Sequence, residues 1–225
     1  MGRDHFPNIP IGAGMGFSKG VLLLEDCEGT FTWTVAGTGG DDVHAFATTA
    51  AWQGTYGMHL RTRTTLAAAD DDLTVTKLMP MPESGLLVAR LRIASPDPTA
   101  VKSVQIALLA NAGANSYVGQ LKFAPNTPTV EYVNAAGALV DLPTLATICP
   151  ADAFQVVELA LDVLTMQYIY VLVNGVRVDL AAVPLWDIGA VAARYSYISI
   201  LVEAIGAAPA TLYADNIYVG EYLES

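Results

Sequence analysis

The chain has 225 residues, of which 53% are hydrophobic and 15% charged, and its 11 Lys and Arg stand against 22 Asp and Glu for a formal net charge of −11. An acidic balance of this size excludes a nucleic-acid groove, which needs a basic field over the phosphates, and the apolar content excludes a disordered chain. The length fits one large all-β domain, and sparse charge leaves apolar surface for a partner to cover.

Met1 to Lys19 lacks a basic start followed by a continuous apolar core, and the longest apolar runs are strand-sized. Neither a secretory signal nor a membrane span is expected. Residues 1–20 form a separate region: Phe6-Pro-Asn-Ile-Pro-Ile-Gly-Ala-Gly-Met-Gly-Phe17 has no period, two prolines and several glycines. This passage is expected to be an extended N-terminal arm. It has no local means of burying Phe6, Ile9, Ile11 and Phe17, so these should pack on the domain or on a neighbouring subunit.

From residue 21 to residue 225 a single domain is expected, built of strands at short intervals. Phe31, Trp33 and Val35 alternate with threonines. Met58 and Leu60 oppose His59, Arg61 and Arg63, and Val157, Leu159 and Leu161 oppose Glu158 and Asp162. Leu86–Ile93 and Tyr195–Val202 are more uniformly apolar, which suits central strands covered on both sides or strands at a subunit contact. Further strands are expected near 43–48, 72–78, 104–110, 118–124, 129–133, 138–142 and 211–219. Asn174-Gly175, between Tyr168–Val173 and Val176–Leu180, tolerates the positive backbone angles of a type I′ turn and predicts a hairpin. Helix is scarce; Ala-rich stretches at 65–69 and 188–194 have room for a turn or two. The pattern predicts two packed antiparallel sheets.

Leu22-Leu-Leu-Glu-Asp-Cys-Glu-Gly29, Phe31-Thr-Trp33 and Ala51-Trp-Gln-Gly-Thr-Tyr-Gly-Met-His-Leu60 resemble the opening of jelly-roll sandwiches of the concanavalin-like and carbohydrate-binding-module type. Leu212-Tyr-Ala-Asp-Asn-Ile-Tyr-Val219 resembles their closing D-N-I-x-V strand, and Leu161-Asp162 through Tyr168 to Asn174-Gly175 resembles their Tyr-containing V-N-G hairpin. The resemblance spans nearly the whole domain and implies an all-β, two-sheet antiparallel jelly-roll sandwich. It also implies positions for a structural calcium at Glu25, Asp26 and Asp215, which would need further oxygens from carbonyls or water. Such sandwiches include sugar-binding modules, laminin-G-like domains and many phage virion proteins.

Glucanases on this scaffold place two glutamates and an aspartate at alternate positions of one strand. Here Glu158 and Asp162 share a face, but the next same-face position is Leu164. A solvated strand face is expected for both carboxylates, and no enzymatic activity. His5, His44 and His59 have no nucleophile spaced for a triad and are expected at the surface or an interface. Asp70-Asp-Asp72 is expected to be a solvated turn. Cys27 and Cys149 pair only if their Cα atoms come within about 7 Å; otherwise they are two buried thiols.

Sugar binding would need exposed aromatic faces with amides or carboxylates nearby, and Trp52, Tyr56, Tyr117 and Trp186 fall in or near predicted turns. Trp33, in phase with Phe31 and Val35, is expected in the core. The leading expectation is a non-enzymatic structural protein of a phage, virus-like particle or similar repeating assembly, capsid-decorating or tail-associated. It would dock through its arm onto further copies of itself or onto a capsid or tail protein, in a virion or another extracellular assembly. The alternative is a carbohydrate-binding module or lectin-like adhesin, with a glycan as partner.

Overall fold

The computed structural model describes residues 21–38, 40–63, 71–80, 82, 85–112, 115–145, 153–190, 195–206 and 208–221. The arm residues Phe6, Ile9, Ile11 and Phe17 lie outside them, as do His5, Asp70, Cys149 and the Ala-rich stretch 65–69. Asn174 and Gly175 have φ values of 50° and 85°, the positive angles of the expected type I′ turn. Val173 and Val176 pair directly across them.

Sixteen strands are described. They are β1 (Val21–Glu25), β2 (Thr34–Gly37), β3 (Val43–Ala47), β4 (Gly57–Arg61), β5 (Asp72–Met79), β6 (Leu86–Ala94), β7 (Val101–Ala112) and β8 (Asn115–Ala124), then β9 (Thr129–Val133), β10 (Leu139–Asp141), β11 (Gln155–Asp162), β12 (Gln167–Val173), β13 (Val176–Asp179), β14 (Trp186–Gly189), β15 (Ser196–Ala204) and β16 (Thr211–Glu221). All pair antiparallel in two eight-stranded sheets. The first runs β13-β12-β11-β6-β16-β4-β3, with β1 also on β16; the second runs β10-β9-β8-β7-β15-β5-β2, with β14 also on β8. The two more uniformly apolar runs, β6 and β15, are interior strands of the two sheets. The sandwich expected from strand alternation is the observed architecture.

Its core lies between the sheets. Leu87, Leu91, Leu159 and Leu161 from the first sheet meet Val75, Ile106, Phe123 and Ile200 from the second, all at or below 1% exposure. Burial of this kind contributes about 25 cal/mol per Å² of apolar area removed from water. Packing is close: a Cβ on Gly119 of β8 would stand 2.5 Å from Leu161 Cδ2 of β11, so that side chain would have to shift. Trp33 is core, as expected, with its indole N–H donating to Glu25 Oε2 at 3.1 Å.

Two expectations need correction. Glu158 is not on a solvated face: it is buried, with Arg90 Nη1 at 3.2 Å and the Tyr170 hydroxyl donating to it at 3.3 Å. Period-2 reasoning put it on the outward side correctly, but a cross-strand arginine and an adjacent tyrosine cover that patch. Tyr117, near the start of β8, does not stand out as a free aromatic platform. It lies inside β8 and packs against the core cluster.

Candidate functional site

Alternation along three neighbouring strands builds a cleft on the outer face of the second sheet. On β7, Val104, Ile106 and Leu108 face the core, so Gln105 and Ala107 face out. On β8, Leu121 and Phe123 face in, leaving Val118 and Gln120 outside; on β15, Ile198 and Ile200 face in, leaving Tyr197 and Ser199 outside. Trp186 of β14 stands opposite Val118 in register and so shares that face. Together these side chains line a cleft of about 660 Å³, within the range of small-ligand sites.

Trp186 is held in place. Gly137, at φ +77°, closes the turn between β9 and β10, and a Cβ there would lie 2.9 Å from the indole. That turn is fixed by Asn134 Oδ1, which accepts the N–H groups of Ala136 and Ala138 at 2.9 and 3.1 Å. On the β15 side Tyr197 stacks on Tyr195, with ring centroids 6.2 Å apart. Burial, and secondarily Tyr195, pushes the Tyr197 phenol above its ordinary range.

From Gln120 and Gln105 in the cleft a chain of polar side chains runs outward along β7 to β15. Gln120 Nε2 donates to Gln105 Oε1 at 2.7 Å, Gln105 Nε2 donates to Ser103 Oγ at 3.4 Å, and Ser103 Oγ donates to Glu203 Oε2 at 2.8 Å. Lys102 Nζ closes the chain on Glu203 Oε1 at 2.9 Å. Each link fixes the rotamer of the next, so the amides are preorganised before any ligand arrives. Asp187, at the cleft edge, accepts from Asn115 Nδ2 at 2.7 Å and Gly189 N at 2.8 Å. Amides that both donate and accept, flanked by two aromatic side chains, can hold a sugar ring by its face and its hydroxyls.

Of the four aromatics singled out in the sequence, Trp186 alone enters this cleft. Tyr117, across from Asp187, points into the core. Trp52 and Tyr56 are 50% and 40% exposed but belong to the segment between β3 and β4, beside the first sheet. The Arg92 guanidinium sits 4.7 Å over the Trp52 ring, whose edge meets Phe154. The missed residues are Gln105, Gln120, Tyr197 and Ser199. Their outward phase was readable strand by strand; the adjacency of β8, β7 and β15, which gathers them, was not.

The calcium positions are spent on backbone. Asp215, fully buried on β16, accepts the N–H groups of Trp52, Gln53 and Asn216 at 2.7, 3.0 and 2.6 Å. Burial raises its pKa above the ordinary carboxylate range despite these donors. Glu25 accepts from Cys27 N and the Trp33 indole, and Asp26 accepts from Glu28 N. Among the described residues no three His, Cys, Asp or Glu side chains converge as a metal-binding group. Placed so, Glu25, Asp26 and Asp215 do not fit a calcium ion, whose shell needs their oxygens turned inward on one point.

The other candidates are structural. Asp71 is buried and ion-paired to Arg63 at 2.5 Å, which corrects the expectation of a wholly solvated acidic turn. Burial, then Arg61, lowers the pKa of His59, whose ring meets Tyr213 edge-on at 5.3 Å. His44 is exposed beside Asp42 at 3.3 Å. No described helix is long and apolar enough to cross a membrane.

No protein-family model matches the sequence, and no curated relative aligns with it. Solved structures do match. An alginate lyase, vAL-1 from Chlorella virus, is similar over 84% of this chain and 93% of its own, at 8% identity and a TM-score of 0.55. An endo-β-1,4-glucuronan lyase from the fungus Trichoderma reesei is similar over 92% and 94%, at 13% identity and a TM-score of 0.53. A sialidase is similar over 75% of this chain, which spans only 16% of the sialidase, at 12% identity and a TM-score of 0.51. These likenesses overturn the expectation of a chain without enzymatic activity: its scaffold is shared mainly with glycan-degrading enzymes. The missing glucanase signature had excluded one chemistry of the several this scaffold carries. The chain has a two-sheet antiparallel β-sandwich fold, consistent with a jelly roll.

Proposed function

We propose that the chain recognises a polysaccharide, and that the cleft on the outer face of the second sheet is where it binds. One observation carries this reading: Trp186 and Tyr197 line the same cleft as the Gln105 and Gln120 amides, which are locked to each other at 2.7 Å. Aromatic faces supply apolar area against the sugar ring, and preorganised amides supply direction. The fold shared with glycan-degrading enzymes supports the same class of ligand. The particle-assembly reading rests on an arm outside the described residues and draws no support from the others.

The test is binding of the full chain to a panel of soluble polysaccharides by affinity electrophoresis and calorimetry. Release of reducing ends and of unsaturated products is followed in the same samples. Trp186→Ala and Tyr197→Ala should each weaken binding at least about tenfold, the scale of a hot-spot aromatic, with unchanged circular dichroism. Binding that survives both substitutions places the glycan elsewhere and defeats the proposal.

A further inference from the structure

The charge of the cleft narrows its ligand. Resting on the glycan reading above, we infer that the cleft takes a neutral, hydroxyl-bearing polysaccharide and discriminates against chains of uronic acids. Among the described residues its lining contains no Lys and no Arg, and the ionisable carboxyl there is that of Asp187. Among the described residues, the nearby cations Lys102 and Lys122 are engaged or displaced from it. Lys102 is held by Glu203 at 2.9 Å. Lys122, two residues along β8 from Gln120, stands directly across from Glu131 on β9 and is not part of the lining.

A uronate chain carries a carboxylate on every ring. In a cleft walled by Val118, Ile188 and Leu201, each carboxylate would lose water without gaining a cation, and burying an unpaired charge is costly. It would also approach Asp187 and a chain of net charge −11, so the long-range field opposes it as well. Sugar hydroxyls suffer neither penalty. They donate and accept, and the cleft offers both functions: each glutamine amide carries a carbonyl and an NH₂ group, and Ser199 and Tyr197 carry hydroxyls. The polar chain that orients the amides runs away from the cleft toward Glu203, so the Lys102–Glu203 ion pair lies at its far end.

The experiment compares neutral chains (a mixed-linkage β-glucan, a galactan and a mannan) with alginate and polygalacturonate on the full-length protein at low and physiological salt. Wild-type protein should bind at least one neutral chain about tenfold or more tighter than either acidic one. That affinity should be insensitive to salt and lost in Trp186→Ala. Ala107→Lys, which sets an ammonium in the cleft, should gain binding to the acidic chains that fades as salt rises. If an acidic chain binds wild type as tightly as any neutral one, and Trp186→Ala abolishes it, the selectivity is wrong while the cleft remains a glycan site. If no chain binds, or if binding ignores Trp186→Ala, both proposals fall.

Discussion

The Tyr168 phenol, carried by the first sheet, accepts the backbone N–H of Gln120 in the second sheet at 2.9 Å and donates to the Val133 carbonyl at 2.7 Å. It fills a gap in the ladder. On its outer edge β8 pairs with β14 through residue 118 and with β9 from residue 121, so neither neighbour meets Gln120. One buried hydroxyl therefore joins the sheets and holds the backbone of the residue whose side chain orients Gln105 in the cleft.

Tyr168→Phe leaves that N–H and that carbonyl unpaired in a dry interior. The expected loss is about 1–3 kcal/mol, read as a lower denaturation midpoint with unchanged slope. Because Gln120 loosens with it, polysaccharide affinity should fall as well. Loss of stability with no change in affinity would mean that the cleft is independent of this tie.

The same phenol sets an alkaline limit. Burial raises the pKa of Tyr168 well above the ordinary tyrosine value of 10.0, and burial also raises those of Tyr197 and Tyr218. An unfolded tyrosine loses its proton near its ordinary value, while the folded ones keep theirs. The stabilisation is therefore fully present below pH 10 and declines as pH rises through the folded values. Denaturant midpoints measured from neutral pH upward should fall beyond that point, and ultraviolet tyrosinate titration should show Tyr168 ionising only as the chain unfolds. In Tyr168→Phe the alkaline slope should be shallower; an identical slope would assign it to other groups.

The fold was legible because its signals are local. Alternation at Met58–Arg61 and Val157–Asp162 gives strands, and Asn174-Gly175 gives a hairpin by backbone sterics alone. The site was legible only in part. Trp186 could be flagged as an aromatic near a turn, but Gln105, Gln120, Tyr197 and Ser199 lie on three strands whose adjacency is a long-range fact. Trp52 and Tyr56 look equally exposed in sequence, yet they sit beside the other sheet. Glu158 read as solvated because its partner Arg90 is 68 positions away in the chain and meets it only through β6–β11 pairing.

Glycine substitutions should rank by what surrounds them. A Cβ on Gly57 would stand 1.9 Å from the Ala50 carbonyl oxygen, which is backbone and cannot turn aside. On Gly119 it would meet the end of the Leu161 side chain, which can change rotamer; on Gly29 it would meet nothing within 4 Å. Gly57→Ala should therefore cost the most, about 3 kcal/mol, and Gly119→Ala nearer 1 kcal/mol. Gly29→Ala should be close to neutral. Thermal melts of the three variants check the order, and a Gly119→Ala melt below that of Gly57→Ala would refute it.

Cys27 tests the latch around Asp215. Its thiol is fully buried, and burial, then the carboxylates of Asp215, Glu25 and Asp26, push its pKa far above the ordinary thiol range. The thiolate is the reactive form, so native Cys27 should resist iodoacetamide while the denatured chain is labelled, as followed by mass spectrometry of its own peptide. Asp215→Ala removes the acceptor for Trp52, Gln53 and Asn216 and also one of the charges that hold the thiol neutral. Both effects point the same way: local opening becomes more frequent and the opened thiol ionises more readily. Labelling in Asp215→Ala should accelerate more than its loss of global stability accounts for. If the two change in proportion, Cys27 is reached only by complete unfolding, and Asp215 does not secure a separately opening segment.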